Sequence, residues 1–400
     1  MELAAVTAVT STNTLHSPNR HIHSPNRQPP SSIATRTSKR VSHILRAEPS
    51  DTTEPSSFVL TMSLPLRKIG DTQVSAIGFG AMGLSGFYGE AVTSDEDRFK
   101  VLDAAFEKGC RLWDTADIYN DNEELIGKWL KRTGNRDKVF IATKVGYYHK
   151  PEVRLVNGDA DYILEAANKS LKKLDIPTVD LLYLHRADVT VPIEVTVGAM
   201  AQLVKEGKVK YLGLSEVSVS TIRRAHAVHP ISAVQVEYSP FNLEIEDEQI
   251  GVLKVCRELG ITIVAYSPLG RGILTGQVKS AADFPEGDFR KIFPKYSQEN
   301  FPNILKLADG LKEIGKKHNA TAGQVALAWL LAQGDDIIPI PGTKKVKYLE
   351  ENVGAVNVKL SEEDLKLVRE YIEKSDATKG ARYPEWGMHL AYADTPELPK

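Results

Sequence analysis

The side chains of this sequence that can do chemistry gather where its apolar runs stop. Trp113-Asp114-Thr115-Ala116-Asp117-Ile118-Tyr119 carries two carboxylates and a phenol. Ala142-Thr143-Lys144 ends on an ammonium, and Leu182-Tyr183-Leu184-His185-Arg186 on an imidazole and a guanidinium. Gly213-Leu214-Ser215-Glu216 and Val234-Gln235-Val236-Glu237-Tyr238 end on hydrogen-bonding and acidic groups. Two further runs end in turns rich in small residues, Ser267-Pro268-Leu269-Gly270-Arg271-Gly272 and Pro341-Gly342-Thr343-Lys344-Lys345. Carboxylate, phenol, ammonium and imidazole are the groups of proton transfer. Small-residue turns let backbone amides approach a phosphate. Singly, an Asp, Lys or His at a strand end is more often a structural pair; the ordered series makes the site.

Other motifs carry less. Gly78-Phe79-Gly80-Ala81-Met82-Gly83 matches the spacing of a dinucleotide fingerprint. That fingerprint needs its last glycine in the helix that follows and an acid about 20 residues on, at a strand end. Here Leu84 to Val92 intervenes and Asp103 falls within a helix, so a tight turn at the mouth of the fold is the better reading. Cys110 and Cys256 form no CxxC pair and read as core thiols. His226 and His229, three apart on a helix, have no third ligand beside them, and His21-x-His23 is no credible metal site.

The elements that must position these groups alternate. Apolar runs read as strands at Ala76–Phe79, Arg111–Thr115, Val139–Lys144, Val179–His185, Val209–Ser215, Ala233–Glu237, Thr262–Tyr266 and Ile337–Ile340. They are nearly continuous, as strands buried on both faces are. Amphipathic segments lie between them, such as Asp95–Lys108 with Phe99, Leu102 and Phe106 on one face, and Asp161–Leu174. Thr321-x-x-Gln324 has the form of a capping box, and Ser361 before three acids opens a last helix. Arg67–Ile69 and Gln73–Ala76 form a small hairpin over the bottom of the fold. Eight strands each followed by a helical segment predict an α/β fold, the (β/α)8 TIM barrel, over residues 63–400.

Composition agrees. Hydrophobic residues are 42% and charged residues 26% of the 400, with a formal net charge of −2, so no basic nucleic-acid or membrane surface is expected. Residues 1–62 differ: 14 of the first 50 are Ser or Thr, and Glu2 is the only acid before Glu48. His-Ser-Pro-Asn-Arg occurs twice, at His16–Arg20 and His23–Arg27. Such a segment cannot bury enough apolar surface to fold. It reads as a disordered transit peptide, with Ile44-Leu45-Arg46-Ala47 resembling a chloroplast cleavage site. Chloroplast is the expected location; mitochondrion, or a cytoplasmic protein begun at Met62, are the alternatives.

The ordered series of strand ends resembles the aldo-keto reductase superfamily, over roughly Leu64 to Asn357. Thr190-Val-Pro-Ile-Glu194 and Thr221-Ile-Arg-Arg-Ala-His-Ala-Val-His-Pro230 look like its plant perakine-reductase-like, "auxin-induced" branch. The resemblance implies an NADPH-dependent reduction of an aldehyde or ketone, with Asp114, Tyr119, Lys144 and His185 as the catalytic tetrad. Tyr119 would be the proton donor. Lys144 would lower the phenol's pKa, Asp114 would hold Lys144 charged, and His185 would align the substrate oxygen. For the cofactor, the resemblance places Ser215 and Gln235 at the nicotinamide carboxamide and Tyr266 against the ring. Ser267, Leu269, Gly270 and Gly272 would lie at the pyrophosphate. Gly342, Thr343 and Lys344 would take the 2′-phosphate, with Lys345 and Lys347 adding charge, and Glu351 and Asn352 would lie near the adenine. The cationic cluster favours NADPH over NADH. Glu216 departs from the Asn of many family members: a carboxylate accepts but cannot donate.

Tyr88, Tyr147, Tyr148, Tyr383, Trp386 and His389 are candidates for the substrate mouth, whereas Trp113 and Trp329 read as core. The partner expected is a small-molecule carbonyl compound, with no nucleic acid or membrane, on a monomer or weak homo-oligomer. The rival reading is a non-catalytic nicotinamide-binding regulatory subunit of the same fold; a barrel isomerase or lyase is a third.

Overall fold

The computed structural model describes residues 64–88, 94–148 and 155–399; the segment 1–62, read above as a leader, lies outside the described residues. The described chain opens with the expected hairpin, β1 (Leu66–Ile69) paired antiparallel with β2 (Thr72–Ser75). Ile69 and Val74 point from it into an apolar cluster with Leu112 and Phe140, the first residues of their strands, so the hairpin plugs the N-terminal end.

Eight parallel strands follow among the described residues: β3 (Phe79–Gly80), β4 (Leu112–Asp114), β5 (Phe140–Val145), β6 (Val179–Leu184), β7 (Val209–Ser215), β8 (Ile231–Glu237), β9 (Thr262–Tyr266) and β10 (Ile337–Pro339). Each pairs with its neighbour in chain order. The last meets the first: Gly78 N donates to Pro339 O at 2.9 Å and Gly80 N to Pro341 O at 3.2 Å, which closes the barrel. Gly78 and Gly80, the first two glycines of the misleading fingerprint, belong to this seam. A Cβ on Gly80 would stand 2.8 Å from Ile340 O, and one on Gly342 would stand 2.6 Å from Gly80 O.

Helices cover the outside: α1 (Asp95–Glu107), α2 (Asn122–Thr133), α3 (Ala160–Leu174), α4 (Ile193–Lys205), α5 (Val219–Val228), α6 (Val252–Glu258), α7 (Phe301–Lys317), α8 (Ala322–Leu331), α9 (Val346–Gly354) and α10 (Glu362–Ser375). Both expected caps form: Thr321 and Gln324 exchange hydrogen bonds at the start of α8, and Ser361 and Asp364 at the start of α10. Trp113 and Trp329 are fully buried core residues. The longest irregular stretch among the described residues falls between β9 and α7, where Gly270, Gly272, Gly276 and Gly287 take positive φ amid short 3-10 turns. Beyond α10 the chain returns over the barrel mouth, where Ala393 bridges to Val217. None of the described helices is long and apolar enough to cross a membrane.

The seam generates a test. Gly342→Ala should lower the unfolding free energy by about 1–3 kcal/mol, the usual cost of overpacking. Gly83→Ala, whose Cβ meets nothing within 4 Å, should stay within about 0.5 kcal/mol in urea titrations. Equal stability of the two variants would show that the first and last strands do not meet this closely.

Candidate active site

Strand register assembles the site. Asp114 of β4 is level with Ala142 of β5, so Lys144, two residues on, points to the same face. The Lys144 ammonium donates to Asp114 Oδ1 at 2.5 Å and to Thr115 O at 2.8 Å, and lies 3.5 Å from the Tyr119 hydroxyl. From β8, Gln235 Nε2 donates to Asp114 Oδ2 at 2.8 Å. The His185 ring stands edge-on to Tyr119, centroids 5.7 Å apart, with Tyr147 against its other side at 4.7 Å. Lys144, Asp114 and His185 are only 1%, 4% and 8% exposed. The four expected residues therefore meet at one site, three of them buried and Tyr119 half-buried.

Burial dominates the electrostatics. It lowers the Lys144 pKa, an effect that Asp114 opposes. It pushes Tyr119 well above the ordinary phenol value, and Asp114 pushes in the same direction. This reverses the expected lowering by Lys144. The ammonium is committed to Asp114 and Thr115, with the phenol at the limit of its reach, so Tyr119 rests protonated. His185 is driven well below the usual histidine value by burial, then by Lys144 and Arg186, so its imidazole is neutral at neutral pH. Behind Lys144, Glu123 is 1% exposed, accepts from Thr143 Oγ1 at 2.6 Å, and is pushed up by burial to about 7.

The residues expected at a cofactor line the ends of β7 to β10. Ser215 Oγ accepts from Arg186 at 3.3 Å, and Gln235 gives one amide N–H to Asp114. The Tyr266 hydroxyl bonds Glu216 at 2.9 Å and Tyr383 at 2.6 Å. Ser267, Gly270, Arg271 and Gly272 all take positive φ, a tight cradle beside Leu269. Leu269 and the Glu351 carboxylate meet at Gly323, and Glu351 also accepts from Thr321 at 2.7 Å. Asn352 is buried one residue on. Gly342 sits in the seam, Thr343 Oγ1 accepts from Lys345 N at 3.1 Å, and the Lys344 ammonium donates to the Tyr88 carbonyl. Tyr148 packs on Tyr162.

Sequence reasoning missed a buried charge cluster. Arg186, Arg271 and Arg382 surround Glu216 and Glu237, with Arg271 and Arg382 each 3.9 Å from the Glu237 carboxylate. The Arg271 side chain is 5% exposed, yet its Nε and Nη1 have no hydrogen-bond partner among the described residues. The signal was Arg186 beside His185 and Arg271 between two glycines; nothing local marks Arg382.

Residues 76–373 match the model of the aldo/keto reductase family. The chain belongs to that family. It is an oxidoreductase of aldehyde, ketone and alcohol pairs, as the members of this family are. Aldo-keto reductase str7 of Strobilurus tenacellus is 59% identical over 85% of this chain and all of its own length. Aldo-keto reductase yakc [NADP(+)] of Schizosaccharomyces pombe is 53% identical over 85% of this chain and all of its own. Probable aldo-keto reductase 1 of Glycine max is 46% identical, over 81% of this chain and 93% of its own. Among solved structures, the glycerol dehydrogenase of Gluconobacter oxydans superposes with a TM-score of 0.69, at 26% identity, over 78% of this chain and 95% of its own. A thermostable aldo-keto reductase in complex with the inhibitor epalrestat gives 0.62 at 32% identity, over 77% of this chain and all of its own. The charge cluster is completed by Arg382, which lies beyond the matched residues.

Glu123 makes the site's surroundings pH-sensitive. Its folded pKa, about 7, lies above the ordinary 4.5, so the folded chain keeps a proton that the unfolded chain loses between those values. Its contribution to stability is full below the ordinary value and is lost as pH rises through about 7. Relative to the native chain, Glu123→Gln should gain about 2–3 kcal/mol in urea unfolding free energy between pH 5 and pH 8. A difference that stays constant over this range would place the Glu123 pKa in the ordinary range.

Proposed function

We propose that the chain reduces aldehydes or ketones to alcohols with NADPH, with Tyr119 as proton donor. The observation that carries this reading is the Lys144 ammonium, held 2.5 Å from Asp114 and 3.5 Å from the Tyr119 hydroxyl beside His185. A phenol kept protonated by burial is an acid in waiting. As negative charge develops on the carbonyl oxygen, Tyr119 Oη releases its proton to it, and the ammonium stabilises the phenolate left behind. Asp114 keeps Lys144 charged, and Gln235 keeps Asp114 aimed. The neutral His185 holds the oxygen by hydrogen bonding and supplies no net proton. Bound NADPH supplies the hydride that completes the reduction.

The chain's residues fit that cofactor. Arg271 has two buried nitrogens without partners among the described residues, suited to a pyrophosphate above the turn Ser267 to Gly272. Ser215 and Tyr266 would hold the nicotinamide end, Lys344 with Thr343 the 2′-phosphate, and Asn352 with Glu351 the adenine side. Lys344 would exchange the Tyr88 carbonyl for the phosphate, a stronger acceptor. The name of the fission-yeast relative, which carries NADP(+), supports the same choice. Within the family, the phrases at 190–194 and 221–230 support placement beside the plant perakine-reductase-like branch, although two relatives with higher identity than the soybean protein are fungal.

Tyr119→Phe removes one oxygen and should reduce kcat about 10²- to 10⁴-fold, with NADPH fluorescence quenching unchanged. Full activity in that variant would remove Tyr119 from the chemistry. The Ser- and Arg-rich composition of residues 1–62 supports a plastid transit peptide. Fused to a fluorescent protein in leaf cells, residues 1–62 should direct it to chloroplasts; diffuse or mitochondrial fluorescence would refute that location.

A further inference from the structure

Glu216 stands where many family members have an Asn, and its carboxylate is fully engaged by the protein. It is completely buried at φ 55, a backbone conformation that non-glycine residues rarely adopt. Oε1 accepts from Glu237 N at 3.1 Å and from the Tyr266 hydroxyl at 2.9 Å, and Oε2 accepts from Arg382. Its backbone carbonyl accepts from Ala393 N at 2.9 Å. Burial opposes its charge, but Arg382 and Arg186 hold its pKa below the ordinary value. To turn toward a bound amide, it would have to strand the Arg382 guanidinium, whose side chain is 1% exposed.

Donor and acceptor rules then fix a direction. Arg186 can only donate, and it gives Nη2 to the Tyr383 hydroxyl at 3.1 Å. Glu216, as a carboxylate, can only accept, so Tyr266 donates to it. The 2.6 Å contact between the two hydroxyls must therefore run from Tyr383 to Tyr266. The result is a single chain, Arg186 to Tyr383 to Tyr266 to Glu216, with Arg382 closing its end. Arg382 and Tyr383 come from the tail beyond the family-matched residues, which is also tied down at Ser218 and Thr221 by Asp394.

We infer that Glu216 is the anchor of the C-terminal tail, not a cofactor ligand, and that through Arg382 and Tyr383 this tail sets the Tyr266 ring for binding nicotinamide. The inference rests on the NADPH-dependent reading above. Tyr383, Arg382 and Glu216 are positioning residues, since each acts through Tyr266.

The test compares Tyr383→Phe, Arg382→Gln and Arg382→Lys in the full chain, measuring NADPH Kd by fluorescence quenching and amide hydrogen exchange over residues 381–395. Tyr383→Phe should weaken NADPH binding about three- to tenfold, the size of one neutral hydrogen bond, with the tail's exchange unchanged. Arg382→Gln should lose at least as much affinity and exchange faster across the tail, while Arg382→Lys should recover most of both. Unaltered NADPH affinity in Tyr383→Phe overturns the inference, even if Arg382→Gln fails to fold. Release of the tail by Arg382→Gln with no loss of affinity overturns it as well. Failure of the unsubstituted chain to bind NADPH is a different result and removes the underlying reading.

Discussion

Burying an ammonium and a carboxylate side by side is what the centre of this protein is built around. Lys144 and Asp114 are 1% and 4% exposed, and removing either partner would leave a charge with no water to solvate it, at a cost of about 3–5 kcal/mol. The pair persists because both groups have further partners: Thr115 O for the ammonium and Gln235 for the carboxylate. Gln235 comes from a strand far from β4 in the sheet order, so the pair also ties the barrel together across its interior. The same low-dielectric surroundings keep the Tyr119 phenol protonated and the His185 imidazole neutral. The buried ion pair, the protonated phenol and the neutral imidazole are one electrostatic arrangement.

A second buried cluster stands beside the first and differs in design. Three arginines meet the buried Glu216 and Glu237 at the ends of β7 to β9, and Arg382 also reaches Glu244 at 3.5 Å. Arg271 keeps donors without partners among the described residues, while the donors of Arg186 and the acceptors of Glu216 are occupied within the protein. One part of the cluster thus keeps unmatched donors, and the other is locked. The two clusters meet at His185 and Arg186, adjacent in sequence at the end of β6.

Much of the fold was legible because buried parallel strands leave uninterrupted apolar runs. Val209–Ser215 and Thr262–Tyr266 were read with their observed ends and the others within two residues, except the first, which was read as Ala76–Phe79 and forms as Phe79–Gly80. The caps at Thr321 and Ser361 were legible because their chemistry is local. Asp114, Tyr119, Lys144 and His185 follow strands that end in polar groups, and the resemblance to the family singled them out among those groups. What pattern cannot carry is contact across long separations in the chain. Arg382 meets Glu216 across 166 residues, and no spacing rule connects them. The role of Gly78 and Gly80 as a seam needed the last strand to be in place. The direction of the Tyr119 shift needed burial, which a sequence does not display.

The central claim is that the Lys144–Asp114 pair serves the proton transfer and is not merely structural. The double variant Lys144→Met, Asp114→Asn removes both charges together, so neither is left stranded. Its NADPH binding by fluorescence quenching and its turnover of a carbonyl panel should be measured together. The account predicts NADPH affinity within about threefold of the native chain and a loss of at least about 10² in kcat. Turnover at the native rate in that variant would contradict it.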